Sequence, residues 1–355
     1  MDEKHPLPTE PLPKNRAVKR RPSTPAARFN AKTMRGLQKA LEEDPEADLA
    51  SLLSTAYSKS LQSFKRFSVA SFPSPVTKHH DVRSYLSATD ASAIICGLSD
   101  ELDELLRPFK DLSTGLVSIL ADSKVINGSV CASSRTVFCL NDAIAVKILG
   151  DTESAVNEYR SLSYLKGVLP HFPCPKPHGV VRFGNCVMLF SAYIPGFDLE
   201  KIWPKMNRTE KHRISSQLDS LLRLVRVSSS PIMNAEQFQD FIFEGSDTAS
   251  GVYKRLLRSL LPTSQAKIVF THGDIRPANI IALQESDGSW GVAAIIDWES
   301  SGFYPEYWES VKATNNLTPM DRLDWYEFLP ESISPQRYRT EWLVDRIWDR
   351  SMTNS

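Results

Sequence analysis

Two short stretches carry residue types that together can do chemistry on a phosphate. In VFTHGDIRPANIIAL (269–283) an apolar run ends at His272-Gly273-Asp274, and Asn279 lies five residues beyond Asp274. In AAIIDWESSG (293–302) another apolar run delivers Asp297. Magnesium takes hard oxygen ligands, usually one or two carboxylates together with phosphate oxygens and water. Asp297 and Asn279 can supply the protein ligands, which leaves Asp274 to receive or orient the proton of an attacking hydroxyl.

Such a site needs a cation for the remaining phosphate charge. AIAVKIL (143–149) holds Lys147 as the one charge in a β-branched run, a costly place for an ammonium unless it is paired. The next helix offers Glu153 and Glu158. Glu158 is the better partner because it begins an apolar stripe, Leu162 and Leu165, that faces the sheet.

The elements that must position these groups follow from the patterning. Residues 1–35 read as a disordered, basic, Pro-rich tail: Pro6, Pro8, Pro11, Pro13, Pro22 and Pro25 block regular structure and KNRAVKRRP adds positive charge. Residues 36–110 read as a helical extension, with Ala91–Ile95 and Asp100–Leu106 as short helices. Residues 111–192 read as a small β-rich lobe: LVSILA, KVINGSVCA, RTVFCLN, AIAVKIL, CPKPHGVVRFG and CVMLFSAYIPG are strands, and Glu153–Leu165 is a helix. Residues 193–350 read as a larger, mostly helical lobe with strands at KIVF (267–270) and WGVAAIID (290–297). Strands followed by helices predict an α+β fold rather than a doubly wound sheet.

Composition narrows the function. The 355 residues contain 42 Lys+Arg and 42 Asp+Glu, and this zero balance argues against a nucleic-acid backbone binder. No apolar run approaches the roughly 18 residues of a membrane span, and the opening MDEKHPLPTEPLPKNR has no secretory apolar segment, so no membrane partner is expected. The five cysteines are scattered without metal-site spacing and read as reduced packing residues of a cytoplasmic protein; the basic segment leaves nuclear import open.

Lys in a strand, Glu on the next helix, H-G-D-x-x-x-x-N and I-D-W-E, in that order, resemble the aminoglycoside phosphotransferase-like branch of the protein-kinase-like fold. SSRTVFCLNDAIAVKIL, FPCPKPHGVV, SAYIPGFDLEKIWPKM and IIDWESSGFYPEYWE are similar to its fungal members, over about residues 115–350. The resemblance implies two lobes with ATP and magnesium between them. It implies Asp274 as catalytic carboxylate, Asn279 and Asp297 as metal ligands, Lys147 on the α/β-phosphates, and Glu158 as the partner of Lys147. It places adenine against the backbone of Phe190, Ser191, Ala192 and Tyr193. Arg276 occupies the place of the catalytic-loop lysine of protein kinases, as a phosphate contact or a structural salt bridge. NGSVCASSRT, with Gly128, Ser133 and Ser134, is the candidate phosphate-covering turn and has no G-x-G-x-x-G.

The leading expectation is therefore ATP- and magnesium-dependent phosphoryl transfer to a small-molecule hydroxyl. A nucleotide-binding scaffold without turnover stays open because of the glycine-poor turn and the long extension. A protein kinase is disfavoured because SGFYPEYWE follows D-W-E at once and leaves no activation segment. His272 is expected to hold its loop rather than to act as a base. Glu299 is read as a ligand for a second ion or a cationic substrate, or as an exposed carboxylate. Trp298, Phe303, Tyr304, Tyr307 and Trp308 read as lobe core in preference to a cationic cage.

Overall fold

A computed structural model describes residues 25–53, 57, 81–127, 136–226, 234–244, 249–262, 266–315 and 317–353. The chain divides into two compact units, Met1–Pro73 and Ser74–Ser355. In the first, α1 (Pro25–Glu43) and α2 (Leu49–Leu52) flank the break at Pro45. The Phe29 ring stacks on Tyr57 at 5.6 Å, and the Tyr57 hydroxyl donates to Asn30 Oδ1 at 2.9 Å. Helix thus begins ten residues before the expected end of disorder. Pro25 has no N–H to strand at a helix start, and the stretch after it is rich in Ala, Arg, Lys and Met, all good helix formers.

The second unit opens with β1 (Ser92–Cys96), α3 (Asp100–Leu106), α4 (Leu112–Ala121), β2 (Lys124–Asn127), β3 (Thr136–Cys139) and β4 (Ile144–Leu149). Then come α5 (Thr152–Val168), β5 (Pro177–Phe183) and β6 (Cys186–Ala192). The strands form one antiparallel sheet in the order β1-β5-β6-β4-β3-β2. Two sequence expectations change here. Of residues 91–95, expected helical, 92–95 belong to edge strand β1, whose Ser92 pairs with Phe183; the partner strand some ninety residues later decides the conformation of SAIIC. LVSILA, expected as a strand, is the body of α4. Asp111 accepts the Thr114 N–H at 2.8 Å as its cap, and Leu116 and Leu120 are buried one turn apart. Part of the expected helical extension therefore belongs to the small lobe.

The larger lobe contains β7 (Phe197–Asp198), α6 (Leu199–Ile202), α7 (Arg208–Val225), α8 (Ala235–Glu244), α9 (Gly251–Leu260), β8 (Ile268–Thr271), β9 (Ile280–Gln284), β10 (Trp290–Ile295), β11 (Gly302–Pro305), α10 (Trp308–Ala313) and α11 (Arg339–Thr353). The strands form two small sheets, β10-β9-β7 and β11-β8. The pairing of β9 with β10, which the sequence patterning does not reveal, sets Ile280 opposite Ile295. Asn279 and Asp297, 18 residues apart, thereby emerge from the same end of one hairpin. The core beneath joins Leu162, Leu165, Leu199, Trp203, Leu218, Phe270 and Trp298. α7 presents Ile214, Leu218, Leu222 and Val225 to it, and its start is closed by a reciprocal cap between Asn207 and Glu210.

Leu218 is fully buried, whereas Leu224 on the same helix is 52% exposed. Leu218→Ala is expected to cost about 2–5 kcal/mol and Leu224→Ala about 0.5 kcal/mol or less, read from denaturant midpoints. On α11, burial pushes the Asp345 carboxyl up from 3.8 to about 6, although Arg346 pulls it the other way. The folded state therefore keeps a proton that the unfolded chain has lost. Asp345 makes stability fall as pH rises from about 4 to about 6, and the penalty stays constant above that. Asp345→Asn is expected to raise stability at neutral pH by on the order of 1–3 kcal/mol and to flatten that slope, as thermal melts across the range would record.

Candidate active site

Lys147 sits in the middle of β4, opposite Val137 of β3 and Leu189 of β6. Its neighbours Val146 and Ile148 are buried in the small lobe. The ammonium points the other way and donates to Glu158 Oε2 at 2.9 Å, Asp297 Oδ1 at 2.5 Å and Glu299 Oε2 at 3.0 Å. None of the four side chains is more than 20% exposed. Burial alone would lower the Lys147 pKa, but the three carboxylates outweigh it and hold it well above that of an ordinary lysine. Burial holds Glu158 above the usual carboxylate range, against the pull of Lys147. Of the two glutamates weighed as partners, Glu158 makes the contact and Glu153 is exposed. Glu299 is not an exposed carboxylate: it closes the same cluster.

The second half of the site is the loop after β8. His272 Nδ1 accepts the Asp274 N–H at 3.1 Å, and so its Nε2 carries the proton that is donated to Ile296 O at 2.9 Å. Both ring nitrogens are thus spent on backbone, as expected of a loop-holding histidine, and the ring lies 4.5 Å from Trp298. Gly273 adopts φ +80°, and a Cβ there would stand 2.4 Å from Ser300 O. Asn279 Nδ2 donates to Asp274 O at 2.8 Å and to Asp274 Oδ2 at 2.9 Å. That orientation leaves the Asn279 amide oxygen as the group able to meet a cation. Arg276, itself exposed, reaches the same Asp274 Oδ2 through Nε at 3.3 Å.

The hairpin joins these halves. Ile296 N–H donates to Asn279 O at 2.9 Å, and the next residue, Asp297, takes the left-handed conformation, φ 67° and ψ 58°. It is the one non-glycine residue with positive φ among those described. A strained backbone at this point turns the carboxylate out of the strand line and toward Lys147. Trp298 follows, fully buried, with its backbone N–H donated to Glu158 Oε1 at 3.3 Å. Trp298 packs with Phe270 and Phe172, and Tyr304 and Trp308 pack with Phe238, so this aromatic set is core and not a cage.

Gly128, Ser133 and Ser134 lie outside the described residues. Phe190, Ser191 and Ala192 end β6, with Ser191 paired to both Ala145 and Pro177. The Ala192 N–H donates to Lys176 O and the Tyr193 N–H to Ala143 O. Those two donors are engaged within the protein at the edge where the sequence expectation places adenine. Carboxylate oxygens of Glu158, Asp297 and Glu299 lie within 4.8 Å of one another. This hard-oxygen set has the chemistry that suits a divalent ion such as magnesium, and the amide oxygen of Asn279, whose backbone carbonyl accepts the Ile296 N–H, is a ligand of the same type.

Two structural partners escaped the sequence reading. Asn157 Nδ2 donates to Glu299 O at 2.6 Å and Ser301 O at 3.1 Å, tying α5 to the segment after Asp297. Glu309, buried on α10, accepts the His272 N–H at 2.7 Å and the Gly273 N–H at 3.1 Å. The one available signal was a carboxylate inside the otherwise packing-type run YWESVKA. Burial raises the Glu309 pKa, while His272 and the two amides oppose that shift. Glu309→Ala is expected to cost about 1–3 kcal/mol for each stranded amide, and Glu309→Gln less because one acceptor remains; denaturant titration of the two variants checks the order.

Among solved structures, the chain resembles the streptomycin-ATP-APH(2")-IIa ternary complex (12% identity, 68% of this chain and 87% of that one, TM-score 0.42). It also resembles an aminoglycoside-3'-phosphotransferase of type VIII (16%, 71% and 99%, 0.44). A third is aminoglycoside phosphotransferase APH(3'')-Id from Streptomyces rimosus (16%, 65% and 97%, 0.40). No curated protein sequence matches. Residues 132–329 match the family described as the phosphotransferase enzyme family, a span that holds Lys147, Glu158, Asp274, Asn279 and Asp297. The chain belongs to the phosphotransferase enzyme family.

Proposed function

We propose that this protein transfers the γ-phosphoryl group of ATP, with magnesium, to a hydroxyl of a small molecule. The observation that carries the reading is the meeting of Lys147 from the small lobe with Asp297 from the large one, beside a loop in which Asn279 holds Asp274.

Lys147, held by Glu158, meets the α/β-phosphates as ATP enters the cleft. Asp297 and the Asn279 amide oxygen would hold the divalent ion, and Glu299 would add a carboxylate next to Asp297. The bound ion would neutralise phosphate charge as it develops. Asp274 accepts the acceptor's hydroxyl proton on Oδ1, because Oδ2 is engaged by Asn279 and Arg276. The hydroxyl oxygen forms its bond to the γ-phosphorus as the bond from that phosphorus to the bridging oxygen breaks, and ADP leaves with the electron pair. Arg276, whose Nε lies 3.3 Å from Asp274 Oδ2, orients that carboxylate, and its exposed guanidinium would serve as a further phosphate contact. Catalysis on this scheme is positioning plus charge neutralisation.

Asp274→Asn keeps the shape of the loop but removes the proton acceptor. It is expected to lower phosphate transfer by about 10²–10⁴-fold while magnesium-ATP binding, measured by calorimetry, stays intact. The acceptor is found by incubating metabolite extract with ATP and reading a mass gain of one phosphate. Transfer unchanged by Asp274→Asn overturns the assignment; ATP binding without any transfer across a broad hydroxyl panel would instead select a scaffold role.

A further inference from the structure

Away from the site, α9 and α11 lie side by side and antiparallel. Tyr253, near the start of α9, meets Ser351, near the end of α11, at 2.6 Å between hydroxyls. Leu261, just past α9, shares a cleft with Val344 and Asp345. Their facing sides bury Leu257, Val344 and Trp348 with Phe243. Each helix also carries an exposed aliphatic row: Val252 (69%), Leu256 (55%) and Leu260 (49%) on α9, and Leu343 (52%) and Ile347 (43%) on α11. In both helices Leu256, Leu343 and Ile347 immediately precede buried residues, so each row is turned about 100° from the packed side in the same sense. For antiparallel helices the same sense means the same side, and the two rows form one seam.

Charge is sorted across this pair. α9 contains Lys254, Arg255 and Arg258 and no acidic residue. On α11 the acidic Glu341, Asp345 and Asp349 recur every fourth residue, and Asp345 and Asp349 immediately follow Val344 and Trp348, which puts them on the flank away from the seam. Arg255, Arg339 and Arg350 are exposed and, by helical position, flank the seam on its outer side. The cleft next to these helices is lined by Glu341 and Asp345, on the acidic flank. A docked peptide helix needs a groove; the seam is made of protruding side chains. A symmetric second copy would set arginine against arginine.

We propose that the α9–α11 face is a docking surface for an anionic phospholipid bilayer. The aliphatic row would enter the headgroup–acyl boundary, and the arginines would meet lipid phosphates and carboxylates. No described helix is long and apolar enough to cross a membrane, so the contact is one of lying on the surface. The proposal does not depend on the catalytic reading.

The test is flotation of the full-length protein with vesicles of about seven parts phosphatidylcholine to three parts phosphatidylserine, against vesicles of phosphatidylcholine alone. The protein is expected to float with the anionic vesicles, more weakly with the neutral ones, and less as salt rises beyond about 0.1 M. Leu256→Glu with Ile347→Glu is expected to weaken binding by about tenfold or more while leaving the melting midpoint unchanged, since both positions are exposed. Arg255→Gln is the milder companion and should reduce binding to anionic vesicles alone. Failure to float with anionic vesicles overturns the proposal. So does binding that survives the double glutamate variant and is lost on Lys19→Ser, Arg20→Ser and Arg21→Ser. A concentration-dependent dimer in sedimentation, abolished by Leu256→Glu and without vesicle binding, reassigns the face to a second copy and also overturns it.

Discussion

A single ammonium group, placed where the two lobes of Ser74–Ser355 meet, organises the centre of this molecule. Lys147 cannot be left unpaired in a strand whose neighbours are buried, and among the described residues the small lobe provides it with Glu158. The large lobe supplies Asp297 and Glu299. Each such pair at about 3 Å, in an effective dielectric of about 20, is worth on the order of 5 kcal/mol before desolvation is charged against it. Desolvation costs several kcal/mol per ion, so the cluster specifies an arrangement more than it adds stability. Three carboxylates around one cation also leave the cluster with a net negative charge, which supports the proposed seat for a divalent ion.

The rest of the large lobe holds that arrangement in place. The β9–β10 hairpin delivers Asn279 and Asp297 from one end, and the β8–β11 pair sets Thr271 opposite Gly302, so that the His272 loop runs beside the segment after Asp297. His272, Gly273 and Glu309 then use backbone amides and carbonyls to lock the loop against both. No chemistry is asked of these three; they remove freedom from Asp274. The left-handed backbone at Asp297 is the local cost of turning a strand-end carboxylate across to the other lobe, and the Trp298 indole anchors the turn from below through its hydrogen bond to Ile295 O at 2.8 Å.

The α9–α11 face shows a different use of the same physical chemistry. Inside the lobe, apolar rows at helical spacing vanish into the core. On these two helices a second row of the same residue type stays outside, with acidic residues kept to the far flank. Net charge over the whole chain is zero, so composition alone conceals this local sorting.

Lys147, Glu158, Asp274, Asn279 and Asp297 were legible in the sequence because each is a charged or amide group in an otherwise apolar or turn-forming run, where its presence demands a reason. The strands bearing Lys147 and leading to His272 and to Asp297, and the helix bearing Glu158, were legible from their apolar patterning, whereas the strand Ile280–Gln284 was not. Glu299, Asn157 and Glu309 were not legible as partners: a carboxylate two residues past Asp297 or a glutamate in YWESVKA reads the same whether it is solvated or buried, and only packing removes the water. SAIIC and LVSILA were misread because short apolar runs carry no period of their own; pairing with β5 made one a strand, and a cap with an inward leucine row made the other a helix. The chain by itself therefore determined which chemical groups are available and roughly on which elements. The tertiary structure decided which of them touch, because contacts across more than a hundred residues depend on how sheets pair and cores close, and no local pattern encodes that.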